Sequence, residues 1–115
     1  MEHKPLDISY LRKFCDQDEA FIQEMITTLL EKIPEELEAL NNGLSQKDSD
    51  ATYRAVHGLK SSLHLAGLPY IQADMEQLEE QIKSGKFKSG STQKKLKELL
   101  SLGQYAIGEL QKLKK

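Results

Sequence analysis

Apolar residues recur along this chain at spacings of three and four, and no run alternates apolar and polar residues over the length of a strand. This pattern predicts helices only. A long helix is expected to begin near Asp18, because acidic residues favour a helix N-terminus, and its apolar stripe runs from Phe21 to Leu44. Pro34 interrupts that stripe and lacks a backbone donor, so we expect a kink there.

Three further helices follow the first long one. Residues 45–50 are polar and rich in Ser and Asp, which predicts a loop ending in a helix cap. The next helix is expected to end at Gly67, and Pro69 suits the first turn of its successor. That helix should end near Ser84 and Gly85, and a last helix should run from about residue 92. Each of these helices carries an apolar stripe.

A short element over residues 7–15 precedes the long helices, with Asp7 as its expected N-cap and with Ile8, Leu11 and Phe14 as its apolar positions. Every apolar stripe must be buried against partner helices. The pattern therefore predicts an all-α fold, an antiparallel four-helix bundle with a short additional N-terminal helix. Such a bundle uses its interior for packing, which disfavours a deep substrate pocket and places any chemistry on the outside.

Length and composition indicate one globular domain spanning residues 1–115. Apolar residues make up 38% and charged residues 30%, and no apolar run approaches the roughly 18 residues that a membrane span requires. The N-terminus lacks the basic and then apolar pattern of a secretory signal, and one cysteine gives no sign of an oxidising compartment. We therefore expect a cytoplasmic protein without membrane insertion.

Charge is distributed unevenly, with 12 acidic and 6 basic residues in 1–56 and 6 acidic and 10 basic residues in 57–115. The excess lysines occur in small groups without interleaved aromatic residues or a base-reading motif. Solvated helix ends account for them, since cations are favourable near helix C-termini. Nucleic acid is therefore not an expected partner.

Residues 55–68 read A-V-H-G-L-K-S-S-L-H-L-A-G-L. At about 100° per residue, one stripe of this helix is apolar and expected to be buried: Thr52, Val56, Leu59, Leu63 and Ala66. A second stripe, about a third of a turn away, consists of Tyr53, His57, Lys60, Ser61 and His64. His57 is thus displayed to solvent beside a cation. A neutral imidazole is a competent nucleophile that titrates near neutral pH, so His57 is a candidate for covalent or proton chemistry.

The hairpin formed by this helix and the next relates His57 to an acidic residue. If the turn is centred on Leu68, His57 and Glu79 each lie 11 residues from it and should face one another. The Glu79 carboxylate would then bind Nδ1 of His57, fix the tautomer and leave Nε2 outward. By the same count Lys60 faces Glu76. The Lys60 ammonium would suit an anionic group such as a phosphoryl group arriving at the ring.

Small residues surround the histidine. Glycine inside a helix costs about 1 kcal/mol relative to alanine, so Gly58 suggests close approach of another surface, a tight helix crossing or an incidental weak spot. His64 lies two turns from His57, about 10 Å along the helix, which is too far for the pair to chelate one metal ion. We expect it to be a solvated histidine or one at the rim of a docking surface. Leu65 points away from the main stripe, either to contact a partner or to pack on the last helix.

Residues 57–68 resemble the histidine-containing phosphotransfer (HPt) domain of two-component phosphorelays, whose pattern is H-x-L-K-G followed by two small residues, with Gly ten residues after the His. The positions that agree in spacing are His57, Leu59, Lys60, Ser62 and Gly67. The flanking sequence is similar as well, so the resemblance covers roughly residues 7–84, and the last helix would form the fourth wall of the bundle. One position departs from the pattern, since Ser61 stands where the family has Gly. Its hydroxymethyl group would alter partner approach slightly or donate a hydrogen bond to the phosphoryl group.

The resemblance implies a role for each matching position. His57 would be the phosphoacceptor, Lys60 the phosphoryl-contacting cation, Gly67 the small residue that closes the helix, and Glu79 the polar partner of the histidine. The residues expected to dock the partner are Gly58, Ser61, His64 and Leu65.

Partners and cofactors follow from the same resemblance. The partners would be response-regulator receiver domains, with a hybrid sensor histidine kinase as a further one. The receiver would bring Mg²⁺, so the chain needs no cofactor of its own and would be a phosphocarrier, not an enzyme. Because one partner face suffices, we expect a monomer.

Two alternatives use the same residues differently. In the first, the chain is a non-catalytic helical-bundle interaction or scaffold module, and His57 is only a surface residue. In the second, His57 is the general base of a phosphate-ester hydrolase, but the sequence shows neither a pocket nor a second catalytic group. No glycine-rich ATP-binding motif occurs, so autophosphorylation is not expected.

Overall fold

The computed structural model describes residues 1–115 and contains helices as its only regular structure. The helices are α1 (Ser9–Phe14), α2 (Glu19–Ser45), α3 (Ser49–Ala66), α4 (Gln72–Lys83) and α5 (Gly90–Leu113). A single 3₁₀ turn, Pro69–Ile71, leads from the end of α3 into α4. This arrangement confirms the predicted all-α bundle with a short additional N-terminal helix.

Contacts between the long helices show that neighbours run antiparallel. In α2 and α3, for example, Gly43 lies against Thr52, whereas Glu36 accepts a hydrogen bond from the distant Ser62. The other neighbouring pairs behave alike, as the contacts Gln23–Leu113, Leu37–Gly103, Gln77–Lys95 and Gln81–Thr92 show. The predicted inner stripe of α3 is buried in this core along its whole length, including Thr52, whose hydroxyl donates to the Asp48 carbonyl at 2.8 Å.

Most helices begin and end where the capping residues in the sequence indicated. The Asp18 carboxylate accepts the backbone N–H of Ala20 and Phe21, and α3 ends at Gly67 in the left-handed conformation, with φ of +111°. The predicted loop at 45–50 was too long. Helix α2 continues through residue 45, and α3 starts at residue 49, because the Asp48 side chain is the N-cap and accepts the Ala51 N–H. Helix α2 also runs through Pro34 without interruption.

The N-terminal helix differs from the expectation in two respects. Helix α1 begins at Ser9, and Asp7 lies two residues before it, accepting the Ser9 N–H at 3.0 Å and the Ser9 hydroxyl at 2.6 Å. Phe14 belongs to the apolar pattern of this element, but its side chain is 54% exposed and does not pack in the core. A helix of six residues packs along one line only, and Leu11 occupies that line fully buried. The two aromatic residues of α1, Tyr10 and Phe14, therefore face solvent.

The loop that connects α4 to α5 is short and is fixed to the bundle by a buried side chain. Helix α4 ends at residue 83, and Gly85 follows in the left-handed region with φ of +84°. Phe87 is only 6% exposed and holds the loop against the bundle. Helix α5 starts at Gly90, two residues before the predicted start.

Candidate functional site

His57 is exposed at the middle of α3. Its side chain is 61% exposed, and its Nδ1 atom lies 3.1 Å from Oε2 of Glu79 on α4. An ionised carboxylate can only accept a hydrogen bond, so Nδ1 carries the proton in this contact and Nε2 keeps a free lone pair. The predicted hairpin register therefore brings these two residues together.

Lys60 lies one turn further along α3, and its Nζ atom is 2.8 Å from Oε1 of Glu79. The two oxygens of one carboxylate thus bind the histidine and the lysine. Counting along the hairpin placed Lys60 opposite Glu76, and the two residues do line one cleft, but the ion pair of Lys60 is with Glu79. Glu76 is exposed, whereas Glu79 is only 8% exposed and needs a nearby cation to offset the cost of burial.

The charges of this trio stabilise one another. Burial alone would raise the pKa of Glu79, but the contacts with Lys60 and His57 outweigh burial and hold that pKa below its ordinary value of 4.5. The Glu79 carboxylate in turn raises the pKa of the Lys60 ammonium. Both groups are therefore ionised at neutral pH, and a fixed anion lies beneath the protonated edge of the imidazole.

Glu79→Gln is expected to reduce the loss of unfolding free energy that occurs as the pH falls into the acid range. A depressed pKa in the folded state means that the Glu79 contribution is present above pH 4.5 and is lost as the pH falls through the lower folded value. The free energy of unfolding, measured by urea titration at several pH values from neutrality downward, should thus fall less steeply in the variant than in the wild type. The matched control is Glu76→Gln, which removes an exposed carboxylate from the same helix. If Glu79→Gln and the wild type lose stability in parallel, the buried ion pair is not a stabilising element.

Gly58, beside His57, is approached closely by helix α2 of the same chain. A Cβ atom at this position would overlap the Glu36 carboxylate, which accepts a hydrogen bond from the Ser62 hydroxyl at 2.6 Å. Burial raises the pKa of Glu36, while the hydrogen bond from Ser62 acts in the opposite direction. Of the explanations that the sequence left open for Gly58, the structure shows a tight helix crossing.

An open cleft lies beside Lys60. It is formed by α1, α3 and the start of α4, and its other lining residues are Tyr10, Phe14, Ser61, His64, Leu65, Gln72 and Glu76. Ser61 is exposed, whereas Leu65 is half-buried against the core. Of the two positions expected for His64, solvated or at the rim of the docking surface, the structure shows the second, since the residue is half-buried and lines the cleft. Its ring packs edge-to-face on Tyr10 at 4.6 Å between centroids, and its Nδ1 atom is buried without a hydrogen-bond partner.

A row of exposed aromatic side chains extends from this cleft. Tyr10 is 48%, Phe14 54% and Phe21 40% exposed, with 6.5 and 6.4 Å between successive ring centroids. The sequence analysis missed this row because it counted Phe21 in the apolar stripe of the long helix and Phe14 among the apolar positions of the short one. One signal was present, since α1 has apolar residues on two faces and is too short to bury both. Tyr10 and Phe14 of this row also line the cleft beside Lys60.

Other kinds of site are not formed by these residues. No group of three or more His, Cys, Asp or Glu side chains is arranged to hold a metal ion. None of the helices combines the length and the apolar character needed to cross a membrane.

Comparison with protein-family models matches residues 24–106 to the Hpt domain. The match begins inside α2, later than the resemblance noted from sequence, and extends through most of α5. Searches of curated proteins and of solved structures gave no significant match. Hpt domains are phosphocarriers that exchange phosphoryl groups with receiver domains and are not enzymes in their own right. Because the matched region covers well over half of the sequence and includes the exposed histidine with its lysine and glutamate, the chain belongs to the Hpt domain family and has a phosphotransfer role in phosphorelays.

Proposed function

We propose that Nε2 of His57 accepts a phosphoryl group from an aspartyl phosphate of a response-regulator receiver domain and passes it to a second receiver. The observation that carries this proposal is the 61% exposed imidazole whose Nδ1 atom is bound to Glu79. The Nε2 lone pair forms the new bond to phosphorus as the bond from phosphorus to the aspartyl oxygen breaks, and the aspartate leaves as a carboxylate. Nδ1 keeps its proton throughout, and the Glu79 carboxylate balances the positive charge of the phosphorylated ring.

The receiver domain supplies most of the catalytic apparatus in this proposal, including Mg²⁺. Phosphoryl transfer depends mainly on positioning and electrostatic stabilisation, so a rigid acceptor is the principal requirement on this chain. The receiver module of a hybrid sensor histidine kinase is one expected donor. The rival scaffold function has no observation of its own in its favour, since it leaves the trio of His57, Lys60 and Glu79 without a use.

Lys60 is proposed to stabilise the transferred group. Its ammonium shares the Glu79 carboxylate with the histidine, and 22% of its side chain is exposed, so it can turn toward phosphoryl oxygens arriving at Nε2. Glu79 then remains hydrogen-bonded to the ring while the lysine offsets the charge of the phosphoryl group. The same cation thus serves the free and the phosphorylated states.

Lys60→Ala is expected to slow transfer about tenfold at saturating receiver, because one charge-assisted contact to the phosphoryl group is lost. Rapid-quench measurement of label transfer gives this rate, and circular dichroism should show unchanged helix content. Lys97→Ala, which removes an exposed lysine from α5, is the matched control. An unchanged transfer rate in Lys60→Ala would remove the proposed role of this lysine.

The docking face for the receiver is proposed to be the cleft beside Lys60 together with the aromatic row. Ser61, His64 and Leu65 would contact the partner directly, and Tyr10 and Phe14 would add apolar area. Gly58 would not contact the receiver directly, since the Glu36 side chain lies against it. Its contribution would be the absence of a side chain next to the histidine. One such face serves one receiver at a time, which is consistent with a monomer.

The decisive experiment is incubation of the chain with phosphorylated receiver domains of the same organism. We expect label on the chain that is stable in alkali and labile in acid, as phosphohistidine is. If a folded wild-type chain acquires no label from any of these receivers, the chain is a scaffold module and this proposal is wrong.

A further inference from the structure

The His57 ring has one aromatic neighbour, Tyr53. Tyr53 precedes His57 by one turn on α3, and the two rings are nearly parallel, with 15° between their planes and 6.1 Å between their centroids. Residues four apart on a helix are neighbours on its surface, so this contact is compatible with regular helix geometry. Tyr53 is half-buried, whereas His57 projects into solvent. The tyrosine is therefore the better anchored ring of the two.

Tyr53 is in turn held by a residue of α4. The Nζ atom of Lys83 lies 5.0 Å from the centroid of the Tyr53 ring, within the range of a cation–π contact. Lys83 follows Glu79 by one turn on α4, and no carboxylate lies within ion-pairing distance of its ammonium. Its environment therefore differs from that of Lys60, which is paired with Glu79. One lysine of the site is engaged by a carboxylate and the other by an aromatic ring.

These contacts bear on the orientation of the acceptor ring. The hydrogen bond from Nδ1 to Glu79 fixes one edge of the imidazole but still allows the ring to turn about the line that joins the two groups. A flat neighbour on one face removes most of that freedom, because rotation would drive the ring edge into the tyrosine. In-line transfer needs the Nε2 lone pair aimed within about 10–20° of its productive direction. Tyr53 supplies the second point of support.

We propose that Tyr53 is a positioning residue for phosphotransfer, stacked on the acceptor imidazole, and that Lys83 holds Tyr53 in place from α4. The inference rests on the proposed function of His57 and assigns the two lysines different tasks. Lys60 acts on the phosphoryl group, and Lys83 acts through the tyrosine. Tyr53 itself does not touch the reacting atoms.

The test compares Tyr53→Leu, which keeps apolar bulk but loses the flat ring, with Tyr53→Phe, which keeps the ring. We expect Tyr53→Leu to lower the transfer rate at saturating receiver about fivefold and Tyr53→Phe to stay within about twofold of the wild type. The half-saturating receiver concentration should be unchanged in both, because the tyrosine is not part of the proposed docking face. Arg54→Leu, at the neighbouring exposed position, controls for a new leucine on this helix.

A second donor separates orientation from loss of nucleophilicity. Phosphoramidate is small and approaches Nε2 without docking, so its rate of labelling His57 should be the same in the wild type and in Tyr53→Leu. The inference is overturned if Tyr53→Leu accepts the phosphoryl group from the receiver at the wild-type rate, or if phosphoramidate labelling slows equally. Neither result affects the proposed function, which fails only if the wild-type chain itself is never labelled by a receiver.

A double-mutant cycle tests the role of Lys83. Lys83→Gln should slow transfer about twofold in the wild-type background and produce no further loss in the Tyr53→Leu background. If the two losses multiply instead, Lys83 acts on the phosphoryl group or the receiver directly, and its assignment to the tyrosine is wrong. Lys86→Gln, in the exposed loop after α4, is the matched control for the removal of a positive charge.

Discussion

Replacing His57 with glutamine is expected to abolish phosphoryl transfer to this chain and to leave the fold intact. The glutamine amide offers no lone pair comparable to that of Nε2, so no phosphoramidate bond can form. Its NH₂ group can still donate to Glu79, and the lost ring was 61% exposed, so little packing is removed. Label from a phosphorylated receiver, measured alongside circular dichroism and urea unfolding, gives both results.

The control for this variant is another histidine. His3→Gln removes an exposed imidazole that stacks on Tyr105 at 4.8 Å between centroids, at a distance in sequence from the proposed acceptor. This variant should be labelled like the wild type. Acid-labile label that persists in His57→Gln would show that the acceptor has been assigned to the wrong residue.

Gly67→Ala is expected to lower the free energy of unfolding by about 2–4 kcal/mol. The φ of +111° strains any residue with a Cβ atom, and that atom would lie 2.9 Å from both the backbone nitrogen and the carbonyl oxygen of Asp7. The Asp7 N–H donates to the Gly67 carbonyl at 2.8 Å, so the clash falls on a contact that ties the N-terminal segment to α3. Side-chain rotation cannot relieve a clash with backbone. Urea unfolding followed by circular dichroism measures the loss.

Gly85→Ala separates strain from the clash. Gly85 also has a positive φ, +84°, but a Cβ there would meet nothing within 4 Å. Its substitution should cost about 1 kcal/mol, from strain alone. Equal losses at the two positions would mean that contact with Asp7 contributes nothing to stability.

Gly67→Ala should also affect function. Helix α1 follows Asp7 and carries Tyr10, which packs on His64 beside the cleft. Displacement of the N-terminal segment in Gly67→Ala should therefore raise the half-saturating receiver concentration and leave the rate at saturation unchanged. A loss confined to the saturating rate would place α1 outside the docking face.

Part of the candidate site could be predicted from the sequence alone. The angular spacing of residues on α3 placed His57 and Lys60 on one outward face, and the hairpin count brought Glu79 to the histidine. Each of these inferences uses helix geometry, which is the same in every protein. The same count placed Lys60 opposite Glu76, but it did not show that the ammonium pairs with the more buried Glu79, because a flexible side chain selects its partner by burial and charge.

The short helix α1 shows a second reason for failure. Spacing alone cannot tell which of two apolar faces is buried when a helix has fewer than two turns, so the pattern of Ile8, Leu11 and Phe14 did not show that Phe14 lies outward. The exposed aromatic row near the site was missed for that reason. Long helices have one broad stripe and are less ambiguous.

Helix spans, helix caps and the outward position of the histidine depend on interactions between residues within one or two turns of each other. Such short-range interactions can be predicted from the sequence alone. Three features needed the packed bundle: the Glu36 carboxylate over Gly58, the choice of Glu79 by Lys60, and the contact of Lys83 with Tyr53. Each joins side chains of different helices across a few ångströms. Such distances depend on how all the long helices pack at once, and no local pattern in the chain encodes them.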